Sequence, residues 1–399
     1  MICGRVGLSV AALVCAVACV GCSNSPAAGQ PTIVSLLPVS ADSPIPFGHP
    51  ITAPSEPRET PAGSLALVVD SGSESVYALD LARGRFLGPA PRVETVEGGG
   101  LKAVPLAGYP TLVGPQPPQK AVMWQKHLFV AGGLNGTVID IGIGPTGLGR
   151  PRATLLPPAS LVLADGSSGT DASAETGNPF VSLVAMDGRG DLLAIVNPHH
   201  VDTSVAYILD PVAMAVVGRR QLPFGASVAV SGDSSSFWVA TSQGHLLQLL
   251  TPRMDIAHDW RVPKALSGLD IADGKAVVSV GAARPDLPGG NAALLSVDLS
   301  TGESHSLASA TTPFAGPVVV QGSGVWWVLP ELGAIRWVPN QGSMRDYSAC
   351  RSISALAAKS GTLLATCVGT HQLAIISLRD GATERVPAGA FPDAVVFGP

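Results

Sequence analysis

The chain has 399 residues, of which 46% are hydrophobic and only 13% charged, and its formal charge is −5. A net negative chain with no run of Lys or Arg lacks the electrostatic footprint of a nucleic-acid binder. Its mean hydropathy of +0.35 is high, yet beyond the N-terminus no apolar segment reaches the roughly 20 residues of a spanning helix, so the excess belongs to a Val-, Leu- and Ala-rich globular core.

The first element is a leader. "MICGRVGLSVAALVCAVACVGCSNS" carries one positive charge at Arg5, an apolar stretch from Val6 to Val20, and then small residues and a cysteine. That tripartite order is a bacterial export signal. Within it "CVGC", with Gly21 before Cys22 and Ser23 after it, resembles the lipobox cut by signal peptidase II, Cys19 standing where that pattern prefers Leu. The resemblance implies a lipoprotein signal peptide over 1–21, diacylglycerol and palmitate on Cys22, and attachment to the extracytoplasmic face of the bacterial cell membrane. Loss of Arg5 with the leader takes the charge from −5 to −6. Three of the six cysteines leave as well, and lipid takes Cys22. Cys350 and Cys367 remain, and in an oxidising compartment they predict one disulfide.

Residues 22–62, including "SNSPAAGQPTIVSLLPVSADSPIPFGHPITAPSEPRETPA", are rich in Pro, Ser, Ala and Thr and read as a tether. A flexible chain of that length has an r.m.s. span of about 35 Å, which prolines extend. The abundance of Gly, Pro and Ala, with Arg outnumbering Lys, resembles the composition of actinobacterial exported proteins.

From 63 to 399 one unit recurs: an apolar strand, a Gly or Asp turn, a second strand, a polar loop, and a third strand often closing on Asp. It is visible in "LALVVDSGSESVYALDLARG", "LFVAGGLNGTVIDIGIG", "LLAIVNPHHVDTSVAYILDP", "FWVATSQGHLLQLLTP", "AVVSVGAARPDLPGGNAALLSVDLSTG", "VWWVLPELGAIRWVPN" and "LLATCVGTHQLAIISLRDG". Strand-only repeats of roughly 40–50 residues indicate a propeller, and no stretch has the pattern of an amphipathic helix. "PFGASVAVSG", "PFAGPVVVQG" and "AFPDAVVFGP" align on Phe224, Phe314 and Phe391 as innermost strands. The last has no strand after it, and "GSLALVVD" at the start of the domain lacks an innermost partner. The expectation is therefore an all-β, seven-bladed β-propeller with four-stranded blades, closed by the C-terminal strand pairing in the first blade, which leaves no open seam. This organisation resembles the YVTN-repeat and lactonase-like propellers.

In such a ring the second-to-third strand loops and the blade-to-blade connections open on one face, at the channel mouth, and this is the expected site. Asp70, Glu74 and Asp202 fall there, and the predicted ligand-binding residues are Asn197, His199, His200, Arg284, Asp286, Glu331 and His371. Insertions at 92–119 and 164–179 would form a partial lid over that face. "NPHHVD" has metal-ligand chemistry, but adjacent residues of an extended chain point oppositely, so no metal is assigned; His199 or His200 with His371 would be the first ligands tested. Asp80, Asp210 and Asp298 close third strands periodically, which predicts turn hydrogen bonds. Arg189, Gly190 and Asp191 lie between strand runs and read as a hairpin turn instead of an adhesive motif. Trp326, Trp327 and Trp337 read as packing. No phosphate loop, "GxSxG" elbow or metalloprotease helix is present. The resulting expectation is a binding or scaffold module for an envelope protein or ligand, without a cofactor. The alternative is a lactonase-like or quinone-dependent sugar dehydrogenase-like enzyme, which would need calcium or a quinone.

Overall fold

In a computed structural model, the structure describes residues 64–399, apart from 74, 88–92, 97–99, 104–120, 134, 145–146, 163–165, 173–177, 198–202, 233–234, 263–265, 282–290, 351 and 360, together with 34–35. Seven antiparallel sheets of four strands form a ring. In blades 2 to 7 the strands follow chain order from the centre outwards, the innermost being Ala121–Trp124, Val181–Met186, Ala226–Ser231, Leu266–Ala272, Val318–Gln321 and Ile353–Lys359. Blade 1 is assembled from both ends of the domain: Pro392–Phe397 lies innermost, followed by Leu65–Asp70, Ser75–Asp80 and Arg85–Phe86. Ala66 is opposite Phe397 and Val68 opposite Val395. The seven-bladed propeller is thus closed by its C-terminal strand.

Each sheet is packed between two others, so both faces of its second strand are buried. That is why these strands are continuous apolar runs: "LALVVD", "LLAIV", "SFWVAT" and "GVWWVL" are buried at every position. Outer strands meet solvent and alternate, as in Ala215–Leu222. The core is correspondingly divided into seven apolar clusters, one for each junction between neighbouring blades.

The turns follow their local chemistry. Asp80, Asp210 and Asp298 each accept two backbone N–H groups of the turn that follows. Asp187 does the same from Arg189 and Asp191, which makes the "RGD" segment a hairpin turn. Cys350 and Cys367 form a disulfide with a Cα–Cα distance of 5.8 Å, within the usual range. Trp326 and Trp327 are buried, and Trp337 packs on Trp326 at 4.5 Å between centroids. Two smaller sheets stand outside the ring, Val34–Ser35 with Val93–Val96 and Gly100–Ala103, and Ser160–Val162 with Ser168–Thr170.

Candidate functional site

The centre of the ring is a cavity of about 270 Å³ lined by the innermost strands of all seven blades. Its wall is Ala, Val, Leu, Gly and Pro with Ser267 and Phe397, and none of the lining side chains titrates. Among the described residues Ser267 is the one polar side chain on this wall, and the hydrogen-bonding side chains below lie at its mouth.

At the mouth on the loop face the innermost strands share a device. In blades 3, 4, 5 and 7 the pairing with the second strand skips one residue, Ser182, Ser227, Ser267 and Ser354, and in blade 1 it skips Asp393. A bulge re-aims the skipped side chain; Ser227 and Ser354 reach the neighbouring blade, whereas Ser182 and Ser267 bond within their own blade and Asp393 accepts the Ser71 N–H. The Ser227 hydroxyl donates to the carbonyl of Leu266 at 2.6 Å, and that of Ser354 to Pro392 at 2.8 Å. Between blades 3 and 4 the tie is relayed: Asn197 Nδ2 donates to Ser182 Oγ at 2.9 Å and to the Ala226 carbonyl at 2.8 Å. Its Oδ1 accepts from Ser204 Oγ at 2.5 Å.

The seam between blades 7 and 1, which Ser354 already bridges, carries a second tie. Asp70 is fully buried, and its carboxylate accepts N–H groups from Gly72 at 3.1 Å, Ala390 at 3.1 Å and Phe391 at 2.5 Å, as well as the Ser73 hydroxyl. Burial nonetheless pushes its pKa above the ordinary carboxylate value. The connection approaches so closely that a Cβ at Gly389, where φ is +99°, would lie 2.0 Å from the Asp70 carboxylate. From the other side His371 Nδ1 donates to the Ala390 carbonyl at 2.6 Å.

Asn197, Glu331 and His371 all lie at this face, as the strand pattern predicts, but on different blades, and each is engaged by a hydrogen bond of the fold. Asn197 is a strut between blades, and His371, half-buried at φ +58°, holds the seam connection. Glu331 is exposed on the short turn Pro330–Leu332, takes the Thr312 hydroxyl, and stands beside Leu332, which is 53% exposed. His199, His200, Arg284 and Asp286 lie outside the described residues, as do Glu74, Asp202 and Cys22.

The described part of the 164–179 insertion does not cover the mouth. Its hairpin leans on the outermost strand of blade 3, where Val162 and Gln221 exchange hydrogen bonds of 3.0 and 2.7 Å. Buried Asp171 anchors it by accepting the Tyr207 hydroxyl at 2.7 Å, and burial, with the Asp171 bond next, pushes the Tyr207 phenol up. Of 92–119, the strands Val93–Val96 and Gly100–Ala103 are described, and they pair outside the ring. The bulge serines and the clamping role of Asp70 were not anticipated; the detectable signal is Ser at a common place in "FVSLV", "GASVAV", "ALSGLDI" and "SISALAA".

No protein-family model and no curated protein matches the sequence. Among solved structures the chain is similar to a protein described as functionally unknown from Desulfotomaculum acetoxidans, at 10% identity and a TM-score of 0.57, covering 84% of this chain and 99% of that one. It is also similar to the β-propeller domain of Cps50 (Swd1) from Myceliophteria thermophila, at 12% identity and a TM-score of 0.46, covering 65% and 83%. At such identities the likeness concerns the fold alone.

Proposed function

We propose that this chain is a lipid-anchored extracytoplasmic propeller that binds an envelope protein or ligand through its loop face. The anchor and tether rest on the residues around Cys22 and on the composition of 22–62. The observation that carries the binding role is the pairing of a rigid frame with projecting tips. Hydrogen bonds between blades fix the loop face, while Glu331 and Leu332 point outwards on a turn closed by Gly333 in the left-handed region. Phe391, 37% exposed on the seam connection, adds a second apolar contact on the same face. Exposed apolar side chains held on rigid loops make contacts at low entropic cost.

The test is capture from envelope extracts. Glu331→Arg with Leu332→Asp should abolish the captured component. Met344→Asp, at a residue 51% exposed on an opposite-face turn, should retain it. Equal capture by all three proteins refutes the loop-face reading.

A further inference from the structure

Six blades have a described outer turn between their third and fourth strands, and one of the six differs in composition from the rest. The turns "LARG", "TPRM", "LSTGE", "NQGSM" and "LRDGA" of blades 1, 4, 5, 6 and 7 each carry charged, hydroxyl or amide side chains. Blade 3 has "PVAM", and the apolar run continues through Ala215, Val216 and Val217 of its outermost strand. The turn itself does not need seven consecutive apolar residues. Asp210 makes it by accepting the N–H groups of Val212 at 2.8 Å and Ala213 at 3.1 Å, as Asp80 and Asp298 do in the polar turns of blades 1 and 5. Nor does the whole run pack. Pro211 and Met214 are buried, while Val212, Ala213, Ala215 and Val217 are exposed. Val212, at 72%, is the most exposed large apolar side chain among the described residues, and Val217 stands at 61%. Apolar runs held in water are a liability unless something covers them.

The tip is fixed in place and flanked by cations. Arg152, paired with buried Asp140, donates from Nη1 to the Val212 carbonyl at 3.0 Å, and the Thr154 hydroxyl donates to the Met214 carbonyl. Arg150 lies two residues before Arg152, and Arg219 two residues beyond Val217. Arg253 is on the outer turn of blade 4, whose Pro252 and Met254 border Gly218. These three arginines are exposed, and among the described residues none of them forms an ion pair. The carboxylates on the same strands and turns are engaged: Asp140 with Arg152, Asp255 with Arg220, Asp259 with His245, and Asp210 with its own turn.

A projecting aliphatic tip among unpaired guanidinium groups suits a surface that is anionic outside and apolar just beneath. Aliphatic side chains enter the headgroup boundary of such a surface, and arginine forks meet its phosphate oxygens. We infer that the outer tip of blade 3 docks on an anionic lipid surface, Val212 and Val217 entering the headgroup region while Arg150, Arg219 and Arg253 meet lipid phosphates. The tip lies on the face opposite the proposed partner surface, so a ring seated this way keeps its loop face turned from the bilayer. The contact does not require an acyl group on Cys22.

The experiment takes the processed chain 22–399 with Cys22→Ala, so that no acyl group carries it, and floats it with vesicles of mixed phosphatidylglycerol and phosphatidylcholine or of phosphatidylcholine alone. The anionic vesicles should retain at least about tenfold more protein than the neutral ones, and raised salt should release it. Val212→Asp with Val217→Asp should lower binding at least about tenfold, and so should Arg150→Glu with Arg219→Glu. The melting temperature should stay put, because the substituted side chains are exposed. Met344→Asp, on the outer turn of blade 6, should float as its parent does. Absence of flotation on anionic vesicles by the folded protein overturns the inference, as does equal flotation on neutral vesicles or by either double variant. A dimer on size-exclusion chromatography that the valine substitutions abolish, without flotation, would assign the tip to a second copy of the chain and overturn the lipid reading.

Discussion

Deleting residues 392–399 removes the innermost strand of blade 1 and tests whether the ring depends on its closure. The strand buries Ala394 and Val395 almost completely and sets Val396 and Phe397 half-buried in the clusters on either side. Full burial of a Val or Phe side chain is worth about 1.5–3 kcal/mol, so Val395, with partial credit for Val396 and Phe397, accounts for roughly 4–6 kcal/mol before relaxation. The ladder to Leu65–Asp70 and the bond from Ser354 to the Pro392 carbonyl go with it. A loss of that size is comparable to the whole stability of many domains, about 5–15 kcal/mol. It also exposes the apolar edge of "LALVVD", an invitation to pair with another chain. Thermal melting with size-exclusion chromatography should show an unfolded or self-associated protein. The milder Val395→Ala should remain folded and lose about 2 kcal/mol, counting the removed methyls and the cavity left behind. A truncated protein that melts as a monomer at the full-length temperature would refute the closure.

Four further outcomes follow from individual residues. Both Asp70 oxygens accept hydrogen bonds, so Asp70→Asn turns an amide donor against donors and should cost about 1–3 kcal/mol in a denaturant titration. Because burial raises the folded-state pKa of Asp70 above the ordinary carboxylate value, folding shifts it toward its protonated form. The wild type should therefore lose stability, relative to Asp70→Asn, as pH rises from the unfolded-state value through the folded one; an identical pH slope in both proteins contradicts the assignment. Breaking the Cys350–Cys367 bond, which spans 17 residues, should lower stability by about 3 kcal/mol on the chain-entropy estimate, and thiol counting on the denatured, unreduced protein should find neither cysteine reactive. Metabolic labelling with a fatty-acid analogue should mark the wild type and leave Cys22→Ala unmarked, and equal labelling would remove the lipid anchor from the proposal.

The blade repeat was legible because burial of both sheet faces writes itself into composition: "LALVVD" and "LLAIV" cannot be read as half-exposed strands. Closure was legible for a related reason, since "AFPDAVVFGP" aligns with two innermost strands and "GSLALVVD" is a second strand in need of one. The turn carboxylates were legible too, because an Asp closing a strand bonds the N–H groups two and three residues on within its own turn. These features are decided within a few residues of themselves.

The loop face was less legible because the fate of a polar side chain there depends on the next blade, which is distant in sequence. Asn197 reads as an exposed loop amide, yet the carbonyl it holds belongs to Ala226. His371 reads as a ligand, yet its Nδ1 meets the Ala390 carbonyl, whose own N–H is held by Asp70 at the other end of the domain. An apolar ring must fasten neighbouring sheets at a mouth where water competes for every backbone carbonyl, and buried or half-buried polar groups there are retained by being paired. In a propeller, then, a polar residue next to an innermost strand is better read first as a tie between blades. Projecting residues such as Leu332, 53% exposed beside Glu331, are where binding is to be sought.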